Sequence, residues 1–178
     1  IDTGNILLRQ EVPVFPFEDA GDLHDKLMKH GARLLIKTLE GLAGNFIKPQ
    51  NQSNFMMPGE ILKTAPKIFP DFCNIEWNNE PQKIHNFIRG LAPYPCARAI
   101  LKNEKRSITC KIFESQPETS MHLLQPGQIV SDGKSFLKIA CKGGFIKILG
   151  LQADGKKRLT TDDFLRGFKI EEFSVPIN

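Results

Sequence analysis

The feature that most constrains this chain is a change of hydrophobic period at Pro93-Tyr94-Pro95, inside the stretch Asn74 to Arg98. Ahead of the prolines, Ile84, Phe87, Ile88 and Leu91 recur at helical spacing and give a short amphipathic helix. Asn79, Pro81 just inside and Gln82 three residues after the Asn read as a capping box, with the Asn oxygen taking a free N–H. The prolines stop the helix, because Pro removes a donor and pushes its predecessor out of the helical region. Beyond them the period is two: 107–112, 137–141 and 145–149 alternate. Pro126-Gly127, Asp132-Gly133, Gly143-Gly144 and Asp154-Gly155 supply the turns. Short strands so punctuated predict a small barrel of the oligonucleotide-binding type. A second capped helix is expected from Thr160 or Thr161 to near Gly167.

The first third reads differently. Ile6-Leu7-Leu8 and Glu11-Val12-Pro13-Val14 predict a strand ending at prolines. Asp22 is a helix cap, Leu23, Leu27, Leu34, Leu35, Leu39 and Leu42 form one stripe to be buried, and Gly44 is the stop. A strand and a helix cannot bury their apolar faces alone. With an opening of Ile1-Asp2-Thr3-Gly4, this suggests the end of an α/β sheet whose remainder lay upstream. Lys48 to Pro70, rich in Pro and Asn, reads as an extended linker with a helical turn near Ile61-Leu62.

Charge is uneven along the 178 residues: 1–60 carry 6 basic and 8 acidic side chains, the rest 18 and 12. A basic second part suits a polyanionic partner such as RNA, although solvated surfaces are often charged too. No apolar run is long enough to span a membrane. Cys73, Cys96, Cys110 and Cys141 form no Cys-x-x-Cys, and His24, His30, His85 and His122 are scattered, so no metal site is expected. Buried free thiols in a reducing cytosol fit this spacing.

Gly155-Lys156-Lys157-Arg158 is the densest basic cluster, able to meet phosphates on a turn. A merely solvated hairpin would have the same composition. Phe136 with Lys138, and Phe145 with Lys147, share faces in alternating strands. They could stack and neutralise a nucleic acid, but half-buried Phe on an outer barrel face is the better reading. Asp2 before Thr3-Gly4 reads as a turn former rather than a catalytic acid. No catalytic triad order, P-loop or dinucleotide fingerprint is present.

Three stretches carry a family resemblance. Asp2-Thr3-Gly4-Asn5-Ile6-Leu7 resembles a segment late in the catalytic domain of the methionyl-tRNA formyltransferases. Ile75-Glu76-Trp77 and Ile88 to Pro95 resemble the start of that family's C-terminal domain. Leu151 to Thr160, with Asp163-Phe164-Leu165-Arg166-Gly167, resembles its closing motif. The resemblance implies an α+β chain: 1–48 the remnant strand and helix of a Rossmann-like formyltransferase domain, 49–73 a linker, and 74–178 an oligonucleotide-binding-type β-barrel with short helices.

It further implies a cytoplasmic enzyme that transfers a formyl group from 10-formyltetrahydrofolate to the amino group of methionyl initiator tRNA. The barrel would help hold the tRNA through Lys156, Lys157, Arg158, Lys138 and Lys147. The family's catalytic Asn, His and Asp lie in the first domain. Its Asp precedes the Asp-Thr-Gly aspartate by four residues and so falls ahead of Ile1. No catalytic residue is therefore carried onto this chain, which is expected to be inactive alone and to hold no folate or metal. One departure is Cys96-Ala97-Arg98, where relatives often have Gly or Ala and then Trp; it is read as a barrel surface position that could alter tRNA contact. The alternatives are a non-enzymatic RNA-binding barrel and a formyltransferase relative acting on a sugar nucleotide or free folate.

Overall fold

The computed structural model describes residues 4–57, 59, 61, 63–170 and 173–176. The chain divides into two compact units, one of 1–18 with 22–68, the other of 19–21 with 69–178.

The first unit is built on a 24-residue helix, α1 (Ala20–Ala43). Its end is a Schellman motif: Asn45 takes a left-handed φ of 58°, its N–H donates to Leu42 O (3.1 Å) and that of Phe46 to Gly41 O (2.8 Å). Asn45, one residue after the expected Gly44, is thus the left-handed residue. Glu18 is buried, accepts from Phe15 N–H (2.8 Å) and pairs with Lys26 (2.7 Å), which ties 13–18 to the first turns of the helix. Three expectations fail here, the first being the cap: the helix starts at Ala20, so Asp22 lies in its first turn. The strand over 6–14 is reduced to one bridge, Ile6 with Gln50, because a strand needs a partner edge and the described chain offers little. The leucine stripe is helical as spaced but not buried: Leu27, Leu35, Leu39 and Leu42 are all exposed, as are Met28 and Ile36. Of the linker, Gln52–Phe55 forms a 3-10 turn capped by Asn51. Asp2, Thr3 and Leu62 lie outside the described residues.

In the second unit, a 3-10 turn (Pro70–Cys73) leads to α2 (Pro81–Leu91). Among the described residues six antiparallel strands follow: β1 (Ala97–Lys102), β2 (Ser107–Thr119), β3 (Ile129–Ser131), β4 (Leu137–Cys141), β5 (Gly144–Ala153) and β6 (Leu159–Thr160). The helix α3 (Thr161–Gly167) follows β6. The order is β1-β2-β5-β4-β3, with β6 also on β5. The turn glycines Gly127, Gly133, Gly143 and Gly155 all have positive φ, the conformation that glycine adopts without steric cost. β2 carries a bulge at Phe113, which bends the strand and curls the sheet into a half-barrel. The open edges are stitched by the C-terminal segment: Lys102 and Ser174 exchange backbone hydrogen bonds (2.8 and 2.9 Å), and Val175 N–H reaches Gly127 O (3.2 Å).

α2 closes the concave side. Ile84, Ile88 and Leu91 are buried with Trp77, Leu101, Ile112, Leu137, Ile146, Ile148 and Leu151 in one core, each contributing about 2 kcal/mol. The expected capping box does not form. Pro81 is the first helical residue, so Glu80 is the cap, without a side-chain bond; the Asn79 oxygen instead accepts from Lys83 (2.8 Å). Cys96 and Ala97 also depart from the sequence reading. They are buried, 1% and 0% exposed, rather than surface residues. All four cysteines are free and buried, as their spacing suggested. Burial pushes the Cys141 thiol up to about 11, and burial with the nearby Asp154 pushes Cys110 to about 12.

Candidate nucleic-acid interface

The turn between β5 and β6 holds the basic cluster in a fixed loop. Asp154 N–H donates to Thr109 O (3.0 Å), Lys156 N–H to Ala153 O (3.0 Å), and the Gln152 amide to Lys156 O (2.7 Å). These bonds occupy backbone and leave the Lys156 and Lys157 side chains exposed, with no ion pair among the described residues. Arg158 is different. Its guanidinium pairs with Glu114 and lies 4.4 Å over the Phe113 ring, so it braces the bulge of β2.

Lys138 and Lys147 stand opposite each other on β4 and β5. Lys138 pairs with Glu118 (2.6 Å) and lies 5.7 Å over Phe136, while Lys147 also faces Gln116 on β2. Like charges directly opposite repel, and Glu118 relieves that repulsion. Phe136 and Phe145 are half-buried, and His122 packs on Phe145 (4.4 Å) while its Nε2 donates toward Gly144 O (2.7 Å) and Cys141 O (3.1 Å). From Lys147 to the basic turn is roughly 24 Å along β5 at the usual strand rise. The five cations proposed from the sequence therefore form two groups rather than one site.

Beside Lys156 and Lys157 lies a cavity of about 520 Å3, walled also by Arg106, Asp154, Leu159 and Phe168. Sequence reading missed Arg106 and Phe168. The β1–β2 hairpin brings Arg106 here: Asn103 Oδ1 accepts the N–H groups of Lys105 (3.0 Å) and Arg106 (2.9 Å). Asn followed by a charged run was the available turn signal, but its neighbour across the sheet was not visible. Asp163, on the same wall, caps α3 with Thr160 and pairs with Arg166 (3.1 Å).

His85 on α2 contacts Ser115 Oγ (3.1 Å), and burial, followed by the nearby Arg89, lowers its pKa. Among the described residues no group of three or more His, Cys, Asp or Glu could hold a metal. No described helix is long and apolar enough to cross a membrane.

Residues 67–169 match the family model described as formyl transferase, C-terminal domain. The chain belongs to this family. Methionyl-tRNA formyltransferase of Bacteroides fragilis is 43% identical over 97% of this chain and 53% of its own length. That of Bacteroides thetaiotaomicron is 40% identical with the same coverage. The chain thus spans about half the length of the curated relatives it matches, in their C-terminal part. HypX from Aquifex aeolicus in complex with tetrahydrofolic acid shares the fold, with a TM-score of 0.63 at 16% identity over 94% of this chain and 29% of that one. The formyl transferase C-terminal match contains the whole half-barrel and both basic groups.

Proposed function

We propose that this chain is the tRNA-holding part of a methionyl-tRNA formyltransferase. The intact enzyme would move a formyl group from 10-formyltetrahydrofolate to the amino group of methionyl initiator tRNA in the cytoplasm. The observation that carries the reading is the pair Lys156–Lys157, exposed on a braced turn within the C-terminal domain that the relatives share. Unpaired cations on a fixed loop can meet phosphates at little ordering cost. Folate is a substrate of the intact enzyme, and no residue here is assigned to it. Catalysis belongs to the other half of the relatives' length.

The first unit fits this reading as the end of a Rossmann-like catalytic domain, in the proposed division 1–48, 49–73 and 74–178. The exposed apolar side of α1 is what a helix shows when the sheet it covers is supplied by another segment. A stand-alone RNA-binding barrel has no use for that face, which favours the enzyme.

A salt titration of binding tests the tRNA role. If about four phosphates are neutralised, log affinity falls with log salt at a slope on the order of −3. Replacing Lys156 and Lys157 by Ala should flatten the slope by about one to two units and weaken initiator and elongator tRNA alike. An unchanged slope in the double variant would reduce this turn to a solvated hairpin.

A further inference from the structure

The cavity between the β1–β2 hairpin, the β5–β6 turn and α3 combines three features that a solvated hairpin does not need. Its size, about 520 Å3, is within the range of small-ligand sites. Its floor is apolar, formed by Ile108, Leu159 and Phe164 with Phe168. Its rim carries Arg106, Lys156 and Lys157, none with an ion pair among the described residues, against one uncommitted carboxylate, Asp154. Asp163 is already engaged by Thr160 and Arg166.

We propose that this cavity takes one unstacked nucleotide of an RNA, with guanine preferred and uracil disfavoured. The proposal rests on the RNA-holding reading above and names what that surface would read. Phe164, Phe168 and Phe173 form a run of rings (centroids 4.6 and 4.9 Å apart), and the Arg106 guanidinium lies 5.6 Å from Phe168 and 5.3 Å from Phe173. A guanidinium beside aromatic rings can itself stack on a base, a mode used for splayed-out nucleotides. Lys156 and Lys157 stand at the mouth, where the flanking phosphates of such a nucleotide would run.

Asp154 supplies selectivity. Its carboxylate has no hydrogen bond or ion pair among the described residues, and it borders the cavity. A carboxylate accepts and cannot donate. Guanine presents two adjacent donors, N1–H and the N2 amino group, to its two oxygens. Cytosine and adenine present one amino group. Uracil sets two carbonyl oxygens beside its single N–H, and these repel the carboxylate. A duplex cannot enter a concave site of this size, so the reader is limited to loops, ends and bulges.

The test uses the 178-residue chain and labelled pentanucleotides: U5, U5 with a central G, and U5 with a central inosine, which lacks the N2 amino group. Fluorescence anisotropy at low salt should give the G form an affinity on the order of tenfold above U5, with inosine between. Asp154→Ala should erase the G preference, and Asp154→Asn, which keeps the volume, should reduce it. Arg106→Ala should weaken all three oligonucleotides; the double Lys variant should weaken them equally and lower the salt dependence. Trp77 fluorescence monitors folding throughout. If tRNA binds but the G preference is missing, or survives Asp154→Ala, the nucleotide pocket is wrong and the RNA reading stands. If neither tRNA nor oligonucleotides bind at low salt, the RNA reading falls and takes the pocket with it. If an acidic pentapeptide competes as well as the G oligonucleotide, the site is a general anion patch and the proposal fails.

Discussion

Cys96 is the residue whose position explains most about its neighbourhood. It follows the Pro93-Tyr94-Pro95 stop and has φ of 72°, in the left-handed region where Gly is free of strain. Its thiol is nevertheless buried, with Sγ 2.8 Å from Pro93 O, and burial raises its pKa. Two effects oppose at this site: a backbone that favours Gly and a cavity filled by a small side chain. Cys96→Gly should therefore stay within about 1 kcal/mol of the parent, since relief of strain offsets lost burial. Cys96→Val should lose about 2 kcal/mol or more, because a β-branched side chain fits this φ poorly. Urea unfolding followed by Trp77, 1% exposed in the core, measures both. A Val variant as stable as the parent would remove the backbone argument. The same scale separates the basic residues. Arg158 is spent on Glu114 and Phe113, whereas Lys156 and Lys157 are left for a ligand, a distinction invisible in a run of three adjacent cations.

At the scale of elements, the two short helices of the second unit show how caps are decided. In α3, Thr160 accepts from Asp163 N–H (3.3 Å) and donates to its carboxylate (3.1 Å), while Thr161 Oγ1 donates to Ile148 O (2.5 Å). The sequence narrowed the start to Thr160 or Thr161, and the structure makes Thr160 the cap and Thr161 the first helical residue. In α2 the pattern Asn79-x-Pro81-Gln82 looked equally clear, but Pro at the first helical position moved the cap to Glu80. Thr160→Ala should cost about 1 kcal/mol. Asn79→Ala should cost under about 0.5 kcal/mol, as expected of a surface substitution that removes no cap. Equal losses in chemical denaturation would show that Asn79 does more than accept from Lys83 and donate to Glu76 O. For α1 the helix was readable from its spacing, but the burial of its stripe was not, because spacing says which face is apolar and not whether anything covers it.

For the molecule as a whole, the C-terminal segment closes what the strand order leaves open. Phe173 and Val175 are buried in the core beside Ile170, and Ser174 joins β1. Phe173→Ala should lower stability by about 3–5 kcal/mol, the range for a buried aromatic truncated in place. It should also expose the sheet edge at Lys102, seen as faster hydrogen exchange of β1 amides. A loss below about 1 kcal/mol would mean that the half-barrel holds without this stitch.

The sequence by itself determined the helices, three of the strands, the turn glycines and the change from helical to alternating packing. Each of these is set by neighbours within a few residues, where periodicity and backbone sterics act. It also determined the family, through ordered motifs at both ends of the second unit. Only the tertiary structure decided that β1, β3 and β6 complete the sheet, that 6–14 finds one bridge instead of a strand, and that Cys96 is buried. It alone brought Arg106 and Phe168, about 60 residues apart in sequence, to the side of Lys156 and Lys157. Strand pairing and cavity walls depend on which surfaces meet across long loops, and no local pattern records that partner.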